Sequence, residues 1–504
     1  MTIALTVAAH TNVGKTTLVR TLLKRDIGEV ADRAHVTENA ERHVLLDTPQ
    51  GDVLELWDTP GFGDSARLLK RLEASGNPIG WLQSQVWDRL VDRPFFCSQQ
   101  AIRAVRDASD VVLYLVNAAE DPSAAAYVDA ELRIFAWIGK PVLLLLNQAG
   151  PPRPREAEAA DEARWASRLA AHVKDRGVIT LDAFARCWVQ EDRLLAEAGA
   201  LLPTEKQPEF GRLREAWRVR NLEVFDASMR AVADSLARIA TDRETVPERL
   251  DAGALAQRVK QWIGRTRDRT SRIDPNVETA MRSLGTRLDE TVRAETDRLI
   301  ALHGLAGRAR QRILERTAGQ FEVSLPADVA GTGLVGGMLT GAAGGLAADL
   351  STGGLSMGAG LLIGAILGAL GAGGAARAYN ALQGQDDGRV RWSDDFLQQA
   401  ARAALLRYLA VAHYGRGRGE WVEGEAPPHW PPLVAEVLDS EAESFSAAWQ
   451  RAAAGAEASE VAARLQPAVA RSAVQILGRL YPNQIWDRPR FPGKPGTDHG
   501  FTNE

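Results

Sequence analysis

Near the start of the chain stands the string Ala9-His10-Thr11-Asn12-Val13-Gly14-Lys15-Thr16, followed by Thr17. A glycine, an ammonium and a hydroxyl at this spacing suit a polyphosphate that carries a divalent cation. The backbone N–H groups of such a loop, here from Asn12, Val13, Gly14, Lys15, Thr16 and Thr17, wrap a β-phosphate at a helix N-terminus. Lys15 would reach the β- and γ-phosphates, and the Thr16 hydroxyl would ligate Mg2+. Ala9 stands where the pattern has its first glycine, a small residue for a small one.

A second group of reactive residues follows at Asp58-Thr59-Pro60-Gly61. Asp58 would hold Mg2+ through a water, and the Gly61 N–H would face the γ-phosphate. The polar stretch before it contains Thr37, the candidate switch threonine that would cap Mg2+ and the γ-phosphate. Lys15 and Thr37 are therefore the candidate catalytic residues, and Thr16, Thr37 and Asp58 the candidate metal ligands.

The elements that must position these groups are readable from the flanks. Ile3–Ala8 is a short apolar, β-prone run ahead of the loop, and Thr16–Leu23 has helical spacing after it. His43–Asp47, the turn Thr48-Pro49-Gln50-Gly51 and Leu54–Trp57 predict a hairpin feeding Asp58. Val111–Val116 and Pro141–Leu146 are continuous apolar runs, as buried parallel strands should be. Residues 124–138 have helical spacing, and Val178–Leu181 suits a last strand. Strands alternating with helices predict an α/β fold with a doubly wound, mostly parallel sheet.

The strings Asn12-Val13-Gly14-Lys15-Thr16 and Asp58-Thr59-Pro60-Gly61 make roughly the first 200 residues resemble the translation-factor-related small GTPases of the Era and tRNA-modification type. The resemblance implies a P-loop GTPase domain that binds GTP and GDP with Mg2+ and hydrolyses GTP slowly, switching two loops. It also implies that Asn12 can help to recruit K+. Two departures from the family matter. Its guanine-reading motif is Asn-Lys-x-Asp, whereas this chain has Asn147-Gln148-Ala149-Gly150. Asn147 remains a nucleotide-binding candidate. The missing aspartate would remove a charge-assisted pair worth on the order of 2–4 kcal/mol of base discrimination. Phe62 stands where Ras-like enzymes place a water-orienting glutamine. Phenylalanine cannot orient water, so the intrinsic rate should be low, and a nucleotide-binding scaffold or sensor with little hydrolysis is the alternative.

With 504 residues the chain predicts more than one domain, and a formal net charge of −5 gives no sign of a nucleic-acid partner. Cys97 and Cys187 lack metal-ligand spacing and suit a reducing cytoplasm. No export signal opens the chain. Residues 204–320 are rich in Arg, Ala, Leu and Glu and predict long amphipathic helices. Between Val329 and Ala376 the only charged residue is Asp349, and glycines recur every four residues at Gly333, Gly337, Gly341 and Gly345 and again at Gly360, Gly364 and Gly368. Small residues at this spacing let two helices touch backbone to backbone. Each uncharged run is long enough to cross a bilayer. A glycine-zipper hairpin in or on a membrane is one reading, and a buried hairpin packed on the stalk is the other. The basic stretch Arg308–Arg316 before it could meet anionic lipid.

The strings Ala348-Asp349-Leu350 and Gly353–Gly360 carry a narrower resemblance, to bacterial proteins that join such a GTPase domain to a C-terminal domain of unknown function bearing this hairpin. The expected organisation is a GTPase domain over 1–202, a helical stalk over 203–328, the hairpin over 329–376, a helical domain over 377–481 and a disordered tail over 482–504. The expected partners are GTP and GDP, membrane lipid, an unidentified protein and a second copy of the chain. The expected location is the cytoplasm, at the inner membrane.

Overall fold

A computed structural model describes residues 1–24, 40–74, 93–149, 153–169, 178–181, 187–245, 275–305, 389–414 and 427–482. Thr37, Gly150, the glycine-rich hairpin, the basic stretch before it and the C-terminal tail lie outside the described residues.

The first compact unit comprises the described residues within Met1–Val224, Leu299–Gln320 and Arg407–Pro431. Its centre is a six-stranded sheet built from β1 (Thr2–Ala9), β2 (Glu41–Asp47), β3 (Val53–Asp58), β4 (Val111–Asn117), β5 (Val142–Asn147) and β6 (Val178–Thr180). The strand order is β2-β3-β1-β4-β5-β6. Only β2 runs antiparallel, paired to β3 as the predicted hairpin. The other pairings are parallel, which requires crossovers and buries both faces. That requirement explains the unbroken apolar sequences of β1, β4 and β5. The crossovers of this unit include α1 (Lys15–Leu23), α2 (Ser65–Glu73), α3 (Arg93–Ala108), α4 (Ala126–Ile138) and α5 (Arg155–Arg168). One face of the sheet packs Tyr114, Val116, Leu144 and Leu146 against Phe95, Ile102, Leu132, Phe135 and Trp165.

Chain order reverses direction at β1, because β3 lies on one side of it and β4 on the other. Loops leaving the carboxyl ends of strands on either side of such a switch point form a crevice. Ala9, Asp58, Asn117 and Asn147 end β1, β3, β4 and β5. The sheet therefore delivers the two sequence strings and the Asn147 string to one edge.

The same unit continues through α6 (Trp188–Leu201) into α7 (Gln207–Thr241). Lys206 is paired to Asp110 at 2.6 Å, Arg212 to Asp52 at 2.7 Å and Arg214 to Asp192 at 2.9 Å. These ion pairs join the start of α7 to the sheet's far edge and to α6. Cys97 and Cys187 are buried thiols.

The second unit comprises the described residues within Phe225–Arg298, Phe321–Leu406 and Pro432–Glu504. It contains the rest of α7, most of α8 (Pro275–Leu302) and of α9 (Asp394–Ala412), and most of α10 (Trp430–Ser440), then α11 (Ala442–Ala453) and α12 (Ala458–Leu480). A small antiparallel ribbon pairs β7 (Arg243–Thr245) with β8 (Arg389–Arg391). Arg287 braces it by pairing with both Asp242 and Glu244. Phe445 and Trp449 of α11 are buried, as are Leu465 and Val469 of α12. Arg471 joins α12 to Glu441, the residue immediately before α11. The long helices expected of the stalk are thus present as α7 and α8. Among the described residues no helix is long and apolar enough to cross a membrane.

Candidate phosphate and cation site

The loop between β1 and α1 takes two left-handed steps. Asn12 has φ 65° and Gly14 has φ 94°. Asparagine tolerates this conformation. Gly14 also has no room for a side chain, since a Cβ there would come 2.7 Å from the Asn147 Nδ2. Its carbonyl begins the helix by accepting from the Leu18 N–H at 3.0 Å. The Asn12 side chain is exposed, whereas Val13, Lys15 and Thr17 are buried.

The loop is stitched to the segment after β3. Phe62 N–H donates to Ala9 O at 3.1 Å, and Thr11 N–H returns a bond to Phe62 O at 3.1 Å. The Thr11 hydroxyl adds a second bond to the same carbonyl at 2.7 Å, and Thr59 Oγ1 donates to Val7 O at 2.7 Å. Gly61 is held so closely that a Cβ would fall 2.9 Å from Lys15 Nζ and 3.0 Å from Thr11 Cα. The Phe62 ring is fully buried and meets Phe135 edge-on at 5.6 Å. Phe62 is thus a core residue that fixes where the Asp58-Thr59-Pro60-Gly61 string ends.

Lys15 points back along the loop and donates to His10 O at 3.2 Å. Burial holds the pKa of its ammonium below the usual lysine range, while the carboxylates of Asp58 and Glu131 pull the other way. Thr16 Oγ1 donates to Asp58 Oδ2 at 2.6 Å. The other carboxylate oxygen, Asp58 Oδ1, is buried without a hydrogen-bond partner. Burial pushes the Asp58 carboxyl up to about 6, against the bond from Thr16 and the charge of Lys15. A buried carboxylate left half satisfied costs free energy unless a cation completes it. Its partner is a hydroxyl, and hard oxygen donors of this kind suit Mg2+. The donor set therefore fits the ion that the sequence implied, with Thr16 and Asp58 as the residues that would hold it.

Asn147, fully buried, donates from Nδ2 to Val13 O at 2.7 Å, so its amide ties β5 to the phosphate loop. Gln148 takes φ 59° and donates from Nε2 to Asn12 O at 3.3 Å. Of the residues predicted for the site, Asn12, Val13, Gly14, Lys15, Thr16, Asp58, Gly61 and Asn147 are brought together, and Thr17 lies buried in the first turn of α1.

One group escaped sequence reasoning. Glu131, on α4, is fully buried beside the loop. Its Oε1 lies 2.8 Å from His10 Nδ1, and its Oε2 accepts from the Tyr114 hydroxyl at 2.7 Å. The available signal was a glutamate on the apolar stripe of a helix, three residues after Val128 and four before Phe135.

Comparison with known families agrees with this geometry. Residues 5–148 match the family described as 50S ribosome-binding GTPase, and residues 176–478 match a domain of unknown function, DUF3482. The second match begins ahead of β6, so the last strand of the sheet falls inside it. Nothing among curated proteins matches the chain. Among solved structures, the chain is similar to a variant of Era from Aquifex aeolicus bound to GDP and aluminium fluoride, at 15% identity and a TM-score of 0.30, over 40% of this chain and 57% of that one. It is similar to Era in complex with MgGDPNP and a segment of 16S ribosomal RNA at 16% identity and a TM-score of 0.30, over the same shares. It is also similar to Toc33 from Arabidopsis thaliana in complex with GDP and Mg2+, at 16% identity and a TM-score of 0.23, over 37% of this chain and 72% of that one. The chain thus spans little more than half the length of the Era chains. With the match to the C-terminal domain extending over more than half of its length, the chain belongs to the DUF3482 family and carries a GTP-binding P-loop GTPase domain at its N-terminal end.

Proposed function

We propose that the protein is a slow GTPase acting as a nucleotide-dependent switch, with its helical C-terminal half as the responding element. The observation that carries this reading is the Thr16–Asp58 pair, whose second carboxylate oxygen is buried and unpartnered beside Lys15. Mg2+ bound there would neutralise charge on the β- and γ-phosphate oxygens. Lys15, released from His10 O, would turn to those oxygens, and the N–H groups from Val13 to Thr17 would cradle the β-phosphate. Gly61 already lies against Lys15, where its N–H can follow a γ-phosphate. Thr37 is the proposed second cap on Mg2+ and the γ-phosphate, and the exposed Asn12 the proposed aid to K+ binding. Phe62, which stands where a water-orienting glutamine would, points into the core against Phe135, and this supports a low intrinsic rate.

The glycine-rich runs on either side of Asp349 support a membrane-associated helical hairpin, with the protein in the cytoplasm at the inner membrane. Nucleotide state would then set access to that hairpin or to a protein partner, and the zipper offers a surface for a second copy. Flotation of the full chain with anionic vesicles, in GDP and in a non-hydrolysable GTP analogue, tests this coupling. Equal flotation in both would remove it, and no flotation in either would remove the membrane.

Gln148 in place of the family lysine, with its amide on Asn12 O, favours a second reading, a nucleotide-sensing scaffold with relaxed base preference. Binding and turnover of GTP and ATP by the full chain in Mg2+ and K+, with Lys15→Ala alongside, separates the two. GTP-selective turnover that Lys15→Ala abolishes is the expected result. Tight binding without turnover, or equal handling of GTP and ATP, would overturn the switch and leave the scaffold.

A further inference from the structure

Glu131 places a carboxyl group in an apolar core, a costly placement unless both oxygens are satisfied. They are, from two different elements. Tyr114 of β4 gives its hydroxyl to Oε2, and burial together with Glu131 keeps that phenol protonated, well above the usual tyrosine range. Oε1 lies 2.8 Å from His10 Nδ1, within hydrogen-bond distance of the ring. The imidazole also lies against the Tyr127 ring of α4, tilted by 31° with centroids 4.4 Å apart. The ring is thus held between a carboxyl group and an aromatic ring.

His10 is the node of the phosphate loop's first half. Its carbonyl receives Lys15 Nζ, and its backbone pairs with Phe62 in a short parallel bridge. Resting on the nucleotide-binding reading above, we infer that Glu131 is a positioning residue for phosphate binding: with Tyr114 it fixes His10, and through the His10 backbone it sets where Lys15 stands. Among the described residues, the titratable groups coupled to this cluster include Tyr127, whose hydroxyl bonds Glu120 at 2.8 Å, and Lys15 with Asp58 and Cys97.

Paired changes at Glu131 test the relay. Glu131→Leu removes both acceptor oxygens from the Tyr114 hydroxyl and the His10 ring, so affinity for fluorescent GDP in Mg2+ should fall on the order of tenfold or more. Glu131→Gln keeps an acceptor for the ring, and its amide nitrogen can donate to the Tyr114 hydroxyl, which accepts as well as donates. It should therefore bind GDP several-fold more tightly than Glu131→Leu. Should Glu131→Leu fail to fold, the partly exposed His10 serves instead. His10→Asn keeps a donor and should bind GDP more tightly than His10→Leu. GDP affinity within twofold of wild type in Glu131→Leu, equal affinities in Glu131→Gln and Glu131→Leu, or equal affinities in His10→Asn and His10→Leu would overturn the inference. Wild-type protein that binds no guanine nucleotide would overturn the nucleotide reading itself, and the relay with it.

Discussion

The two ends of the nucleotide crevice are built on the same loop but differ in how much chemistry they retain. At the phosphate end a lysine, a hydroxyl and a carboxylate converge within hydrogen-bond distance of one another or of one loop carbonyl. At the base end the asparagine persists, but its amide is engaged with Val13 O, and the next residue is a glutamine bonded to Asn12 O. Both base-end side chains thus brace the phosphate loop from the β5 side. Phosphate and cation contacts supply most of the charge-assisted bonding to a nucleotide, whereas base contacts supply discrimination. On the proposed nucleotide reading, the contrast would separate affinity, held by the loop, from base choice, which the altered string would leave to other groups.

The contact between the two ends is the place to break this comparison hardest. A Cβ at Gly14 would meet Asn147 Nδ2 at 2.7 Å, on a residue whose φ of 94° already disfavours a side chain. Gly14→Ala should push the loop off Asn147 as well as strain it, at about 1–3 kcal/mol for the backbone alone. Nucleotide affinity should drop on the order of a hundredfold, measured by titration with fluorescent GDP. Affinity within threefold of wild type would mean that the Asn147 brace does not set the loop.

Asp58 gives the phosphate end its pH dependence. The folded carboxyl titrates near 6, above its ordinary value of 3.8, so the folded protein holds this proton more tightly than the unfolded chain. Without metal, this group favours the folded state increasingly as pH falls from about 6 toward 3.8. Above 6 the ionised form costs about 3 kcal/mol. Mg2+ needs the ionised form, so its apparent affinity should fall about tenfold per pH unit below about 6. Asp58→Asn should abolish that slope, weaken Mg2+-dependent GDP binding on the order of tenfold to a hundredfold, and raise the melting temperature of the metal-free protein. Calorimetry at pH 5, 6 and 7 with and without Mg2+ distinguishes these effects. A melting temperature lowered by Asp58→Asn in the absence of metal would contradict the buried, half-satisfied carboxylate.

What was legible follows from range in sequence. The loop, its flanking strand and helix and the β2–β3 hairpin are local patterns, and each appears within a few residues of where the spacing placed it. The Thr16–Asp58 pairing followed because two short strings each fix their own geometry. The His10–Glu131 bond joins residues 121 apart, and no periodicity marks such a pair. Phe62 was legible only as the lack of a water-orienting group. Its positive role, filling the core against Phe135, depends on a tertiary neighbour. In the helical half, α7 and α8 follow from long apolar periodicity. The ribbon of β7 and β8 does not, because three residues per strand are too few to show alternation and the partners are far apart in the chain. Thr37, Gly150 and the hairpin remain expectations from sequence, lying outside the described residues.

The smallest effect is the most informative about the base end. Gln148→Lys combined with Gly150→Asp restores the family string at two positions. The aspartate would offer two acceptors to the guanine ring, and the change should raise the preference for GTP over ATP on the order of tenfold or more. The phosphate contacts are left alone, so ADP and pyrophosphate affinities should stay within a few-fold of wild type. Gln148→Lys by itself removes the amide bond to Asn12 O and isolates the bracing contribution. If that single change weakens GDP and ADP equally, Gln148 serves the loop. If instead it alters only the ratio between them, Gln148 reads the base, and the division between an affinity end and a discrimination end fails at the residue where the two ends meet.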